Sequence, residues 1–317
     1  MKHQLWLNRK LSNWAWTKDA KIQIVFFRNC LRKFGKFRFK KARTVNVLYF
    51  YLDPGLTYPG LADRIKTMIN CFYIAEQNGY DYKIIFQSPF QLSKYLQPNE
   101  IKWEATESEL DFSFTDTRFL NYHGKFRSLS PRKQYICFNF MDKGMPELMD
   151  RDDLWRNMFQ RLFKFSPAIE KTCSETGYAP YSYIAIHLRF VNALGETEIG
   201  KKALPQDKQQ DLIRRCREGI MLICKENREH LPVLIFSDNS KFLKLIDDLP
   251  VHNLGSDNIR HLGYAEDSQD VMKTFVDLVM LGRARKIYRI LAPEMFPTMF
   301  SIIAARIGDV ECSDINV

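Results

Sequence analysis

Apolar residues fall along the chain in two alternating rhythms. Residues 44–51, TVNVLYFY, form a compact run of β-formers and predict a strand. Beyond the loop at 53–60, Leu61, Ile65, Met68, Ile69, Phe72 and Ala75 recur at helical spacing, until Asn78 and Gly79 supply a stop. Residues 82–86 return to a strand run, so this stretch reads as a βαβ unit. Patterning is weaker over 91–150, where Trp103 and a strand-like run at 134–139 stand out. Asp152 or Asp153 can cap a helix whose apolar face is Leu154, Trp155, Met158, Phe159, Leu162 and Phe163. Residues 172–180, with Gly177 and Pro180, predict a domain boundary.

A second alternation starts at Tyr183. Strands are predicted at 183–188, 233–236, 259–262 and 286–291. Helices are predicted at 206–227, from Ser240, at 268–282, and at 294–307 with a kink near Pro297. Strand–helix alternation at this spacing implies a mostly parallel, doubly wound sheet.

Polar side chains then gather where strands end. Residues 183–190, YIAIHLRF, run apolar until His187 and Arg189, and the strand at 233–236 ends in Ser237 and Asp238. Ligands of parallel α/β sheets bind beyond such carboxyl ends. A fixed guanidinium there matches a phosphate or carboxylate, although an ordinary ion-paired Arg at a strand end looks the same. The helix opening at Gly60, Asp63 and Arg64 offers free N–H groups that suit an anion. Asp63 also suits the helix dipole, and Arg64 also suits a solvated surface.

Composition narrows the classes. A chain of 317 residues, 45% apolar with 24 Phe, has material for two cores. No window approaches the roughly 18 apolar residues of a membrane span, and no secretory leader is legible at the start. Seven Cys without a Cys-x-x-Cys pair fit reduced thiols and a cytoplasmic protein. Neither Gly-x-Gly-x-x-Gly nor the P-loop pattern occurs, and no cluster has metal-ligand spacing.

The net charge of +10 hides an asymmetry. Residues 1–43 hold 13 of the 47 Lys and Arg but one acid, Asp19, of the 37. The remaining 34 bases and 36 acids nearly cancel. Trp6, Trp14, Trp16 and several Phe lie within the basic segment. Such a mixture suits the surface of an anionic membrane, which would place the protein peripherally on an inner face. Docking of those aromatics on the protein's own domain is the plainer alternative, and a nucleic-acid arm is a third.

The motifs together resemble those of the GT-B fucosyltransferase superfamily, which includes α1,6- and α1,2-fucosyltransferases and protein O-fucosyltransferases. His187, Arg189 and Gly195 match the α1,6 type's His-Val-Arg-Arg-x-Asp-Lys-x-Gly-x-Glu, with Glu196 or Glu198 as the acid. Phe190 stands for the second Arg and Asn192 for the Asp. Gly60 to Arg64 is similar to the family's Gly-Phe-Gly-Asp-Arg, and residues 88–90 to its Ser-Pro-Phe. Residues 234–238, 275–284 and 297–304 resemble the later motifs.

The resemblance implies a GT-B-like α/β fold, with two Rossmann-like domains facing each other across a cleft. It implies a basic aromatic segment over 1–43, an acceptor-side domain over 44–176 and a nucleotide-sugar domain over 177–317. The implied reaction is metal-independent, inverting transfer of fucose from GDP-fucose to a glycan hydroxyl, with no cofactor. Arg189 would hold the β-phosphate and His187 the nucleoside side. Asp277 would accept from guanine, and Ser237, Asp238, Thr298, Met299 and Ser301 would complete the donor site. Gly60 and Arg64 would line the acceptor cleft, and Glu196 or Asp63 would be the base. Another nucleotide-sugar donor, or a catalytically silent nucleotide- or glycan-binding protein, stays open on the same residues.

Overall fold

The computed structural model describes residues 45–52, 60–113, 115–120, 128–138, 148, 150–195, 203–254 and 268–317. The basic segment 1–43, Glu196 and the strand expected at 259–262 lie outside them.

Strand β1 (Val47–Tyr51) is buried at every position, as five consecutive β-formers with covered faces should be. It is followed by helix α1 (Leu61–Gln77) and strand β2 (Asp81–Ile85). The helix stops where the sequence predicts: Gly79 adopts φ +66°, and Asn78 Nδ2 donates to the Ile74 carbonyl at 2.7 Å. Strands β3 (Leu96–Pro98), β4 (Thr117–Leu120) and β5 (Gln134–Phe138) come next. The first sheet is parallel throughout, in the order β2-β1-β5-β4.

Helix α2 (Asp152–Leu162) begins one residue before a cap at Asp152 would allow, and two before a cap at Asp153. Arg151 occupies the cap, and Asp152 and Asp153 instead complement the dipole from inside the first turn. Strand β6 (Phe163–Phe165) pairs antiparallel with β3, and helix α3 (Pro167–Glu175) follows. Ser166 and a Pro in the first turn start α3.

The second sheet contains β7 (Ile184–Leu188), β8 (Val233–Ser237), β9 (His252–Asn253), β10 (Lys286–Leu291) and β11 (Cys312–Asn316). Its order is β11-β10-β7-β8-β9, again all parallel. Helices α4 (Gln206–Glu226), α5 (Ser240–Lys244), α6 (Ser268–Gly282) and α7 (Phe300–Gly308) connect these strands.

One expectation needs correction, and one strand was not expected. Helix α7 starts at Phe300, not at 294, because Pro297 keeps the residue before it out of the helical region. Strand β11 had no apolar rhythm to announce it, since Cys-Ser-Asp-Ile-Asn is mostly polar. It forms because β10 offers an unpaired edge.

The halves are joined by apolar packing. Phe275 of α6 stacks on Tyr95 at 4.8 Å and meets Phe90 edge-on at 5.9 Å. One core cluster runs from Leu48 and Phe50 of the first sheet to Phe275 and Ile303 of the second half. Helices α6 and α7 also cross at backbone contact. A β-carbon added to Gly308 would lie 1.6 Å from the Gly282 carbonyl oxygen. That crossing sets where α7 presents Ser301.

Candidate active site

The alternation of β7 decides which side chains reach which layer. Ile184, Ile186 and Leu188 pack into one apolar cluster, while Ala185 joins the cluster under α6 and α7. His187 shares the parity of Ala185 and so points at α7, where its Nδ1 lies 3.1 Å from Ser301 Oγ. Its ring also packs on Phe300, with centroids 5.8 Å apart. Burial, followed by the Arg189 and Arg289 cations, pushes its pKa down to about 3. The imidazole is therefore neutral near pH 7 and serves as a hydrogen-bonding group, not as a proton acceptor at that pH.

Arg189 leaves the strand end about a quarter exposed. Its guanidinium lies 5.4 Å from the centre of the Phe296 ring, and its Nε is 3.9 Å from Asp238 Oδ2. Asp238, at the end of the neighbouring β8, accepts from Phe190 N–H at 2.7 Å and from Val191 N–H at 2.9 Å. Val191 adopts φ +54°, a region a β-branched residue rarely enters. Such strain, about 1–3 kcal/mol, persists only where the surroundings over-determine it, and the carboxylate does so here. Desolvation pushes the Asp238 pKa up, against the two backbone bonds and Arg189.

The remaining expected donor residues divide. Ser237 is buried and its Oγ accepts from Asn239 N–H at 3.2 Å, so it helps to start α5. Thr298 and Ser301 are buried around the first turn of α7, with Met299 at its cap. Thr298 Oγ1 accepts from Phe300 N–H at 3.1 Å. Asp277, on α6, carries Lys273 Nζ at 2.9 and 2.6 Å from its two oxygens. Burial raises its pKa and Lys273 opposes that. To accept from guanine it must share or release this lysine.

On the other half, a β-carbon at Gly60 would meet nothing within 4 Å among the described residues, so they leave the start of α1 open on that side. Asp63 pairs with Lys66 at 2.9 Å. Arg64 does not line a solvent-facing surface. It is fully buried, with its guanidinium 5.6 Å from the Phe86 ring and 5.9 Å from that of Phe90. Its helix position faces the core with Leu61, Ile65 and Met68, and the long stem fills space there.

Three residues escaped the sequence reading. Arg289 sits opposite His187 in the ladder between β10 and β7. It donates to both oxygens of Asp314 at 2.7 Å and to the Thr298 carbonyl at 3.1 Å. Phe296 lies beside Arg189, and its N–H donates to the Arg189 carbonyl at 3.3 Å. The signal for Arg289 was a charge on the same strand parity as buried Ile287. Asp314 and Phe296 had none, because their roles exist only across strands. Among the described residues, no group of three or more His, Cys, Asp or Glu is placed to hold a metal ion.

Two parallel Rossmann-like sheets, with an anion-seeking edge beyond the strands of the second, define the GT-B class of fold. No known protein-family profile matches the chain, and no curated protein matches its sequence. Solved structures do match. The NodZ α-1,6-fucosyltransferase soaked with GDP-fucose aligns with TM-score 0.57 and 13% identity, over 83% of this chain and 93% of that one. The Bradyrhizobium fucosyltransferase NodZ aligns with TM-score 0.56 and 12% identity, over 82% and 92%. An Arabidopsis thaliana FUT1 mutant in complex with GDP aligns with TM-score 0.55 and 9% identity, over 90% and 73%. The chain thus has the fold of these fucosyltransferases, along nearly their whole length for NodZ.

Proposed function

We propose that the protein is an inverting, metal-independent glycosyltransferase that moves fucose from GDP-fucose to a hydroxyl of a glycan acceptor. The observation that carries this reading is the convergence of His187, Arg189, Thr298 and Ser301 beyond the carboxyl ends of one parallel sheet. They do so in a fold shared with fucosyltransferases solved with GDP-fucose or GDP. In this reading residues 44–176 receive the acceptor and residues 177–317 hold the donor.

The chemistry follows from the leaving group. A nucleoside diphosphate departs with developing negative charge, which a preorganised guanidinium stabilises best where water is scarce. Arg189 fills that role, held by Asp238 on one side and Phe296 on the other. Neutral His187 offers a hydrogen bond to the nucleoside side and takes no proton at pH 7. Asp277 reads guanine, whose N1–H and N2–H are donors that adenine lacks. The acceptor's proton goes to a carboxylate, Glu196 or Asp63.

One observation favours a second reading. Phe190, where the resembling motif has a second Arg, is 1% exposed and packs on Phe242 at 4.7 Å. Arg189 then takes the diphosphate without that second Arg, which suits a binder of nucleotides as well as a transferase. Calorimetry in EDTA tests the donor: GDP should bind more tightly than ADP or UDP. Incubation with labelled GDP-fucose and a glycan array tests the transfer. Preference for UDP overturns the donor assignment, and tight GDP binding without release from GDP-fucose favours the silent reading.

Residues 1–43 fit an anionic membrane surface through their excess of 12 positive charges. Among the described residues no helix is long and apolar enough to cross a membrane. Flotation with anionic vesicles, with and without residues 1–43, tests peripheral attachment.

A further inference from the structure

We propose that Arg289 is a positioning residue of the donor site. Fixed by Asp314, it holds the Thr298 carbonyl and so shapes the turn that would receive the diphosphate. This rests on the fucosyl-transfer reading and deepens it.

The placement starts in the sheet. Arg289 is the register partner of His187 on one side and of Asp314 on the other, so three polar side chains line up across β7, β10 and β11. A ladder position is fixed by backbone bonds, and the guanidinium therefore starts from a rigid base. Its Nε and one terminal nitrogen reach the two Asp314 oxygens at 2.7 Å, the bidentate arrangement that only Arg makes. The other terminal nitrogen reaches the Thr298 carbonyl at 3.1 Å. With all three nitrogens engaged and the charge compensated by Asp314, Arg289 is poorly placed to bind a phosphate itself. It acts through Thr298.

Thr298 lies in the segment between β10 and α7, which Pro297 deprives of one N–H. Three tethers fix that segment and the first turn of α7 to the sheet. Phe296 N–H donates to the Arg189 carbonyl, Arg289 holds the Thr298 carbonyl, and Ser301 Oγ meets His187 Nδ1. Removing Arg289 releases the middle tether and leaves Arg189 and His187 in place. The expected defect is specific: the phosphate part of donor recognition weakens and the nucleoside part does not.

Calorimetry on the full chain tests this with GDP and with guanosine as probes, for wild type, Arg289→Gln, Arg289→Lys and Asp314→Asn. Loss of one charge-assisted tether should weaken GDP binding by about tenfold in Arg289→Gln. Guanosine affinity should stay near that of wild type. Asp314→Asn should lie between, and Arg289→Lys should recover part of the loss because an ammonium still reaches the carbonyl. Equal losses for GDP and guanosine would overturn the proposal, as would unchanged GDP affinity in folded Arg289→Gln. If Arg289→Gln does not fold, an unchanged ratio of GDP to guanosine affinity in Asp314→Asn overturns it instead. A wild type that binds neither probe removes the fucosyl-transfer reading itself, and this proposal with it.

Discussion

Asp238 holds Arg189 indirectly as well as directly. Its Oδ2 lies 3.9 Å from the Arg189 Nε, and its two oxygens take the N–H groups of the next two residues, Phe190 and Val191. The carboxylate is thus the clamp that keeps a strained strand end pointing one way. Asp238→Asn leaves one good acceptor where two are needed and removes the negative charge. We expect a loss of about 1–3 kcal/mol in urea unfolding, with transfer reduced further than stability explains. Unaltered transfer in a destabilised but folded variant would show that the clamp serves the fold alone.

Arg189→Lys keeps the charge and discards the planar fork. If the group acts on the departing diphosphate, the transfer rate should fall on the order of 10²-fold, by analogy with a single oxyanion donor, and donor affinity should fall less. Arg189→Ala should be worse. A normal rate in folded Arg189→Ala protein would remove the centre of the functional reading.

His187 makes a prediction about pH. Its ordinary pKa of 6.5 falls to about 3 in the fold, so as the solution is acidified the unfolded chain takes the proton first. Its contribution is fully present above about pH 6.5 and drains as pH falls towards 3. Urea midpoints measured between these limits should decline more gently in His187→Gln than in wild type. Likewise, no step in transfer between about pH 6 and 8 should vanish in that variant. Parallel declines in both proteins would contradict the assignment.

Arg64 behaves as a core residue in the structure, so its substitution should act on stability before it acts on acceptor use. Arg64→Ala empties a fully buried site against Phe86 and Phe90. A loss of about 3 kcal/mol in chemical denaturation is expected, in line with large-to-small changes in cores. Wild-type stability together with altered acceptor dependence would restore the acceptor-cleft reading.

Gly308 admits no side chain. Its β-carbon would fall 1.6 Å from the Gly282 carbonyl oxygen, so Gly308→Ala must separate α6 from α7. The cost is expected at about 3 kcal/mol or more, measured by thermal unfolding, with GDP affinity lost as Ser301 shifts from His187. A variant as stable as wild type would mean that the helices can part freely.

The amino-acid sequence by itself settled what local pattern can settle. Val47–Tyr51, Ile184–Leu188 and Val233–Ser237 are strands because runs that stay apolar until their last residues have nowhere to go but inside a parallel sheet. Their abrupt polar ends mark His187, Arg189, Ser237 and Asp238 from the sequence alone. Tertiary structure decided what each polar group faces. It gave Asp238 to the backbone of the next strand end, put Arg64 among aromatic rings, and joined Arg289 to Asp314 across a strand with no sequence rhythm. The reason is reach: periodicity reports which side of its own element a residue occupies, whereas a partner 25 or 48 positions away is set only when the sheet closes.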